Sequence, residues 1–498
     1  MDVLWNSISL GFSVAVSPEN LLLALLGCLL GTLIGVLPGI GPLPTIAILL
    51  PLTFNMSPEG SLIMLAGIFY GAQYGGSTTA ILLRIPGEST SVVTTLDGHA
   101  MAQQGRAGAA LAIAAIASFI AGCIATAFIA VVGLPMSRMA QAFGPPEYFV
   151  LLLVGLLLAA VLGQGSRLRA LLMVGLGLIL ATIGTDIETG QQRFTAGITE
   201  LWDGIGFVPM AIGLLGITEL LRTKETKGKS RAAIGGLLPS GQDLRAAINP
   251  TIRGTFIGGI LGVLPGSGAI LAPFASYAAE KRISAAPETF GKGAVAGLAG
   301  PEAANNAAAQ TSFIPLLTLG IPPNGIMALM LGAMMIQGIV PGPQVINSNP
   351  ELFWGVIVSM WIGNLMLLVL NLPLVGLWVQ LLKLPQRFLT PSVVVFSCIG
   401  VYTINNSAWD VFLACAFGAL GLWLVRLNYE PAPLILGFVL GGPLEEKLRQ
   451  SLILSRGDPL VFLTRPVSGA MLAVLVAVLL GLFVANYRRR RLAARLEH

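Results

Sequence analysis

Two groups of residues have the types and spacing to do chemistry in an apolar setting. The first is a set of Pro-Gly interruptions in hydrophobic runs: Leu37-Pro38-Gly39-Ile40-Gly41-Pro42, Ile85-Pro86-Gly87, Leu264-Pro265-Gly266-Ser267-Gly268 and Ile321-Pro322-Pro323. Proline removes a helical hydrogen bond and glycine loosens the backbone. A half-helix that begins after such a break presents backbone N–H groups and the positive end of its dipole, which suit a carboxylate. Unwound carbonyls beside it suit a cation. The second group is polar and adjoins the breaks. Tyr74-Gly75-Gly76-Ser77-Thr78-Thr79 offers hydroxyls on a glycine-rich stretch, and Pro301-Glu302-Ala303-Ala304-Asn305-Asn306 leads through three alanines to Gln310-Thr311-Ser312. If that second stretch is helical, Glu302, Asn305 and Asn306 share a face, with Gln310 one turn beyond Asn306. Glu302 reads as a proton or cation site, or as the cap of a half-helix after Pro301, because a carboxylate inside a membrane is costly and marks function. The plainer readings are proline kinks or turns at the membrane edge for the breaks, and hydrogen-bond glue between helices for the asparagines.

The elements that must position these residues are membrane helices. Of 498 residues, 55% are hydrophobic and only 10% are charged, where a soluble domain carries about a quarter charged residues. The mean hydropathy is +0.83, and no polar stretch is long enough to bury a core of its own. Apolar runs lie near 21–54, 60–74, 107–133, 148–163, 170–184, 204–221, 254–279, 293–320, 325–340, 352–382, 391–403, 409–425, 433–442 and 469–487. A span needs about 20 residues and several of these are shorter or broken, so the expectation is an all-α polytopic membrane protein of about 10–12 transmembrane segments with broken or re-entrant helices. The formal charge of +5 is no mark of a nucleic-acid binder, because the basic residues flank apolar segments in short runs and act as topology signals. Cys28, Cys123, Cys398 and Cys415 lie singly in apolar runs with no C-x-x-C pair, and are expected to be buried small hydrophobes. The amino terminus lacks the positive region of a cleaved signal, so the first hydrophobic segment is expected to be retained.

Two clusters, Arg222 to Arg231 and Arg488 to Arg491, are the most basic and are expected on the cytoplasmic side, together with the C-terminus. The 340–351 loop has no Lys or Arg and is a candidate for the outer face. The halves of the chain resemble one another. Gly-Val-Leu-Pro-Gly at 35–39 recurs at 262–266, an offset of 227, and Ile85-Pro86 recurs at Ile321-Pro322. Pro209 to Gly213, with Glu219 and Arg222, recurs at Pro433 to Gly437, with Glu445 and Arg449. Matches in one order indicate an internal duplication, with inverted orientation favoured over parallel. Lys447, Arg449, Arg456 and Arg465 then fall outside, which counts against inversion. The expected organisation is a first transmembrane repeat at 15–222, a cytoplasmic basic loop and connector at 223–253, a second repeat at 254–450, and an extra helix with a basic tail at 451–495. Residues 496–498 resemble the scar of an expression tag. Breaks at matching places in two repeats are the sequence pointer to a transporter's binding site.

Arg84 adjoins a break and fits equally an anionic substrate or the cytoplasmic edge. Glu219 and Glu445 are expected at the interface. Residues 88–106, with Asp97 and His99, read as a polar or amphipathic connector, with His99 at the surface.

At these motifs the sequence resembles the large membrane subunit of the tripartite tricarboxylate transporters. The residues are G-V-L-P-G-I-G-P at 35–42, Y-G-G-S-T-T-A-I-L-L-R-I-P-G-E at 74–88, G-V-L-P-G-S-G at 262–268 and the Pro301–Gly325 block with N-N-A and T-L-G-I-P-P-N. The likeness runs from about residue 15 to 450. It departs at Pro323, where that family often has glycine. The resemblance implies a multi-pass subunit of the bacterial inner membrane, working with a small membrane subunit and a periplasmic solute-binding protein. It also implies secondary uptake of an organic carboxylate, citrate-like or a dicarboxylate, driven by Na⁺ or H⁺, with no other cofactor. No G-x(4)-G-K-[ST] is present, since Thr223 stands where Gly228-Lys229-Ser230 would need a glycine. The chain therefore has no evident nucleotide site. It also has no H-E-x-x-H, and a Ser267–His99 dyad would have to recruit its histidine from the connector, so an intramembrane enzyme is the weakest rival and the chain is expected to be no enzyme. A gated anion channel and a non-transporting scaffold subunit are the alternatives. The residues expected to contact substrate are Gly39, Gly41, Ser77, Thr78, Thr79, Gly266, Ser267, Gly268, Asn305, Asn306, Pro322 and Asn324. Glu302, Thr311 and Ser312 are the candidates for a coupling ion.

Overall fold

The computed structural model describes residues 2–37, 41–141, 143–162, 166–186, 188–222, 238–266, 268–381 and 386–496. These are helical apart from turns and one antiparallel ribbon of two residues a side, β1 (Gly184–Thr185) and β2 (Gln192–Arg193). Twelve helices frame the argument: α1 (Pro18–Val36), α2 (Pro42–Leu49), α3 (Pro58–Leu83), α4 (Thr94–Met101), α5 (Ala107–Gln141), α6 (Arg167–Ala181), α7 (Gly241–Val263), α8 (Gly268–Ile283), α9 (Val295–Thr311), α10 (Gly325–Ile336), α11 (Pro350–Asn371) and α12 (Ala432–Leu454). Among the described residues α1, α11, Ala408–Arg426 and the continuous Thr94–Met139 stretch are long and apolar enough to cross a membrane. Large apolar side chains face outward, Phe256 and Ile260 of α7 and Leu172 of α6 among them. An outside this oily belongs in lipid. The chain is an all-α polytopic membrane protein.

Local sequence sets the helix ends. Ser57 accepts from the Gly60 N–H at 3.2 Å with Pro58 in the first turn, which starts α3. Ser240 and Asp243 cap each other's backbone N–H at 3.1 and 3.2 Å, a capping box that starts α7 well before its apolar run at 254. All four interruptions, three Pro-Gly and one Pro-Pro, separate helices. The first lies between α1 and α2, the second follows the left-handed Arg84 (φ 58°) at the end of α3, the third lies between α7 and α8, and the fourth precedes α10. The third and fourth touch, since the Gly266 N–H donates to the Pro323 carbonyl at 2.8 Å. Residues 38–40 and Ser267 lie outside the described residues.

The most extensive helix contacts are α1 on α3 and α7 on α9. Both use glycines four residues apart. A methyl group on Gly27, Gly31 or Gly35 would strike the backbone carbonyl of Met64, Ile68 or Ala72, and one on Gly254, Gly258 or Gly262 that of Gly300, Ala304 or Ala308. Lipid supplies no hydrophobic drive between helices, so close backbone approach provides the attraction instead. As a result α3 is buried from Gly60 to Leu82 and α9 from Gly297 to Thr311. The two polar segments of the sequence lie on these two helices, screened from lipid by the others.

Candidate functional site

Glu302 is 1% exposed. Its carboxylate accepts the hydroxyls of three elements: Ser77 of α3 at 2.9 and 2.7 Å from the two oxygens, Thr94 of α4, and Ser118 of α5 at 3.4 Å. Asn306, one turn on, donates from Nδ2 to Ser118 Oγ at 2.7 Å and to the Glu302 carbonyl at 3.1 Å. A turn further, the Gln310 side-chain oxygen accepts the hydroxyl of Thr126 of α5. Glu302, Asn306 and Gln310 thus form one polar stripe of α9 laid along α5. Among the described residues the groups acting on Glu302 are the hydroxyls of Ser77, Thr94 and Ser118 and the neighbouring Glu88, with no Lys, Arg or His. Beside it lies a cavity of about 10 Å³, about the room one water needs, bounded by Tyr74, Ser77, Thr78, Ser118, Glu302, Asn371 and the apolar Leu111, Ala114 and Ala115.

Of the residues singled out in the sequence, Ser77, Thr78, Glu302 and Asn306 meet here. Asn305 is buried with its amide facing the Glu88 carboxylate, short of a well-formed hydrogen bond to it. Thr79 donates to its own helix at Gly76 (3.0 Å) and adjoins Gly87. Thr311 and Ser312 are buried, and their hydroxyls donate to the helix carbonyls of Ala307 (3.0 Å) and Ala309 (2.6 Å). Gly266 makes its bond to Pro323, Gly268 opens α8 against Leu261, Pro322 is buried, and Asn324 caps α10 by accepting the Met327 N–H at 3.0 Å. Gly41 (φ 68°) has open space around its Cα. None of these break residues lines the small cavity. Gly39 and Ser267 lie outside the described residues. Pro301 is inside α9, so Glu302 does not cap a half-helix.

Sequence reasoning passed over Thr94, Ser118 and Asn371. A lone serine at position 118 in an alanine-rich helix was the available signal. It also misjudged the connector. His99 is 6% exposed, its Nδ1 2.9 Å from the Ile81 carbonyl, and is not a surface residue. Asp97 is fully buried and accepts the Tyr277 hydroxyl at 2.9 Å and the N–H groups of Gly291, Gly293 and Ala294 at 2.7–2.9 Å. It ties α4 to the approach of α9 one turn from Thr94, so packing on α3 and α9 draws the segment inside. The cysteines need correction too: only Cys28 is buried, Cys123 and Cys398 are half-buried, and Cys415 is exposed.

Elsewhere a larger cavity of about 880 Å³ opens between the ribbon and α12. At its edge Arg449 pairs with Asp186 (2.7 Å), Glu188 (2.9 Å) and Glu445 (2.6 Å), and Arg193 with Glu445 (2.7 Å). The Arg449 guanidinium holds the Asp186 carboxyl well below the usual carboxylate range. Arg84 is exposed. No group of three His, Cys, Asp or Glu that could hold a metal occurs among the described residues.

Residues 21–436 match the tripartite tricarboxylate transporter TctA family. The chain belongs to that family. Proteins of the TctA family are transport subunits of a secondary transport superfamily and not enzymes, and the outward apolar faces accord with a multi-pass protein of the inner membrane. The family context implies association with partner subunits. Among similar proteins, one of Agrobacterium vitis described as an uncharacterized 52.8 kDa protein in TAR-I ttuC' 3'region is 55% identical over 494 residues, 99% of this chain and 98% of that protein. A second Agrobacterium vitis protein, described as an uncharacterized protein in TAR-II ttuC' 3'region, is 59% identical over 234 residues, 47% of this chain and 97% of that protein. No solved structure matches the chain.

Proposed function

We propose that this TctA-family chain takes up an organic carboxylate, citrate-like or a dicarboxylate, by symport with a cation, receiving it from a periplasmic solute-binding protein and working with a small membrane subunit. The observation that carries the reading is the carboxylate of Glu302, enclosed by hydroxyls from α3, α4 and α5 with no basic side chain among the described residues to balance it. A buried charge without a partner is strongly disfavoured, and a mobile cation is the natural balance. The anionic substrate belongs elsewhere, at the helix breaks, where the first N–H groups of helices beginning near Gly41 and Gly268 lack intrahelical acceptors. The shared glycine spacing of α1–α3 and α7–α9 supports two repeats, which we place in opposite orientation so that their breaks meet near mid-membrane.

The test is uptake of radiolabelled di- and tricarboxylates into proteoliposomes holding this chain and its small partner, with binding protein outside, no ATP, and an imposed Na⁺ or H⁺ gradient. Accumulation that requires the gradient and the binding protein is expected. Equilibration without accumulation would point to a channel, and no flux of any carboxylate would overturn the reading.

A further inference from the structure

We infer that the pocket at Glu302 binds one dehydrated monovalent cation of sodium size, held by the Glu302 carboxylate and the hydroxyl oxygens of Ser77, Thr94 and Ser118. The inference rests on the proposed cation coupling and deepens it by naming the ion and its ligands.

Four observations converge. The donor set is five oxygens carried by α3, α4, α5 and α9, with no sulfur and no basic nitrogen, which is the set a hard cation selects. The adjoining cavity of about 10 Å³ admits a single water-sized body and is lined by Glu302, Ser77 and Ser118 of this set, while Thr94 reaches the carboxylate from outside the lining. Two buried polar atoms of its lining residues, the Tyr74 hydroxyl and Asn371 Oδ1, have no hydrogen-bond partner among the described residues. An amide oxygen and a phenol left without partners inside a protein call for an occupant. Finally, Ser77 Oγ also lies 3.1 Å from the Gln73 carbonyl, so its hydrogen has a second acceptor and the hydroxyl can turn its lone pairs to an ion.

Charge sets the valence. Among the described residues Glu302 is the carboxylate that lines the cavity, and the neighbouring Glu88 acts on it from outside the lining while accepting the Thr90 hydroxyl, so a monovalent ion balances the lining carboxylate. A proton neutralises the carboxylate through one oxygen and does nothing for Asn371 Oδ1, whereas an ion draws on the whole shell. Thr94 is held in place from one turn away by Asp97 and its backbone bonds to 291, 293 and 294, which makes Asp97 a positioning residue for the site.

The experiment is equilibrium binding of ²²Na⁺ to the purified full chain in lipid nanodiscs, with the uptake assay run beside it. Saturable binding of one ion per chain is expected, resisting excess K⁺, abolished by Glu302→Gln, and weakened about tenfold or more by Thr94→Val and Ser118→Ala. Thr94→Ser keeps the ligand oxygen and should bind as wild type does, so the Thr94 pair decides the matter should Glu302→Gln fail to fold. A wild-type chain that binds no ²²Na⁺, its cavity holding only water, would overturn the site, as would binding that Thr94→Val and Ser118→Ala leave untouched. Proton-driven carboxylate uptake without ²²Na⁺ binding would sink this inference and leave the transport reading standing. Binding without any carboxylate uptake would do the reverse.

Discussion

Asn306 commits both hydrogens of its amide to one place, the hydroxyl of Ser118 and the carbonyl one turn behind it. Ser118 is thereby oriented with its own hydrogen toward Glu302. Asn306→Ala removes that orientation and leaves a buried hydroxyl short of a donor, a loss of about 1–3 kcal/mol. Uptake should fall severalfold to about a hundredfold while membrane insertion continues, read as initial rate per inserted protein. Wild-type uptake would take Asn306 out of the site. Ser77, Glu302 and Asn306 were legible in the sequence because polar side chains in an apolar run must be answered by something. Thr94 and Ser118 were not, because a hydroxyl on a helix can serve its own i−4 carbonyl and needs no partner elsewhere. His99 was misjudged for a related reason: a polar connector reads as solvated until it is seen that backbone groups of other segments satisfy it, as the Ile81 carbonyl does for His99 and the 291–294 N–H groups do for Asp97.

Among the elements, the two glycine-spaced helix pairs are the least forgiving. A side chain at Gly31 or Gly258 meets a backbone carbonyl that cannot turn aside, so Gly31→Ala and Gly258→Ala should sharply reduce the yield of folded protein in size-exclusion chromatography. Gly175 of α6 has open space around it, and Gly175→Ala should be tolerated or slightly stabilising, since alanine favours a helix by about 1 kcal/mol. Equal behaviour of the three would refute the packing argument. The ribbon and α12 make a different kind of junction. Asp186 has its carboxyl pKa lowered by Arg449, so the pair's contribution is complete above the unfolded value of about 3.9 and is lost only as pH falls through the lower folded value. Hydrogen exchange over residues 184–193 should therefore stay slow from pH 7 to about 4 and quicken below it. In Arg449→Ala it should be fast already at pH 7, and an unchanged profile would show that the ion pairs do not fasten the loop. Helix ends such as the Ser240–Asp243 capping box were open to sequence reading. Which helix lies on which was not, because glycine spacing names a contact surface without naming its partner.

For the molecule as a whole, the recurrence of Gly-Val-Leu-Pro-Gly at an offset of 227 is visible in residues, whereas orientation in the membrane is a matter for measurement. Val340 is 81% exposed and Leu238 is 92% exposed, which makes both suitable reporters. In a cysteine-free background Val340→Cys should react with an impermeant maleimide in intact cells and Leu238→Cys only after permeabilisation; the opposite pattern would overturn the arrangement proposed for the repeats. The hydroxyl shell adds something at this scale. The carboxylate rides on α9, while its three hydroxyl partners ride on α3, α4 and α5, so the shell exists only while the two parts of the chain are aligned. A ligand that completes such a shell and the alignment that builds it are reciprocally linked: each raises the population of the other by the same factor. On the proposed cation coupling, loss of the ion leaves Glu302 to be hydrated or protonated, and either change weakens the hydroxyl shell that joins α9 to α3, α4 and α5. A single buried acid thereby acts as a gauge of the distance between α9 and its neighbours.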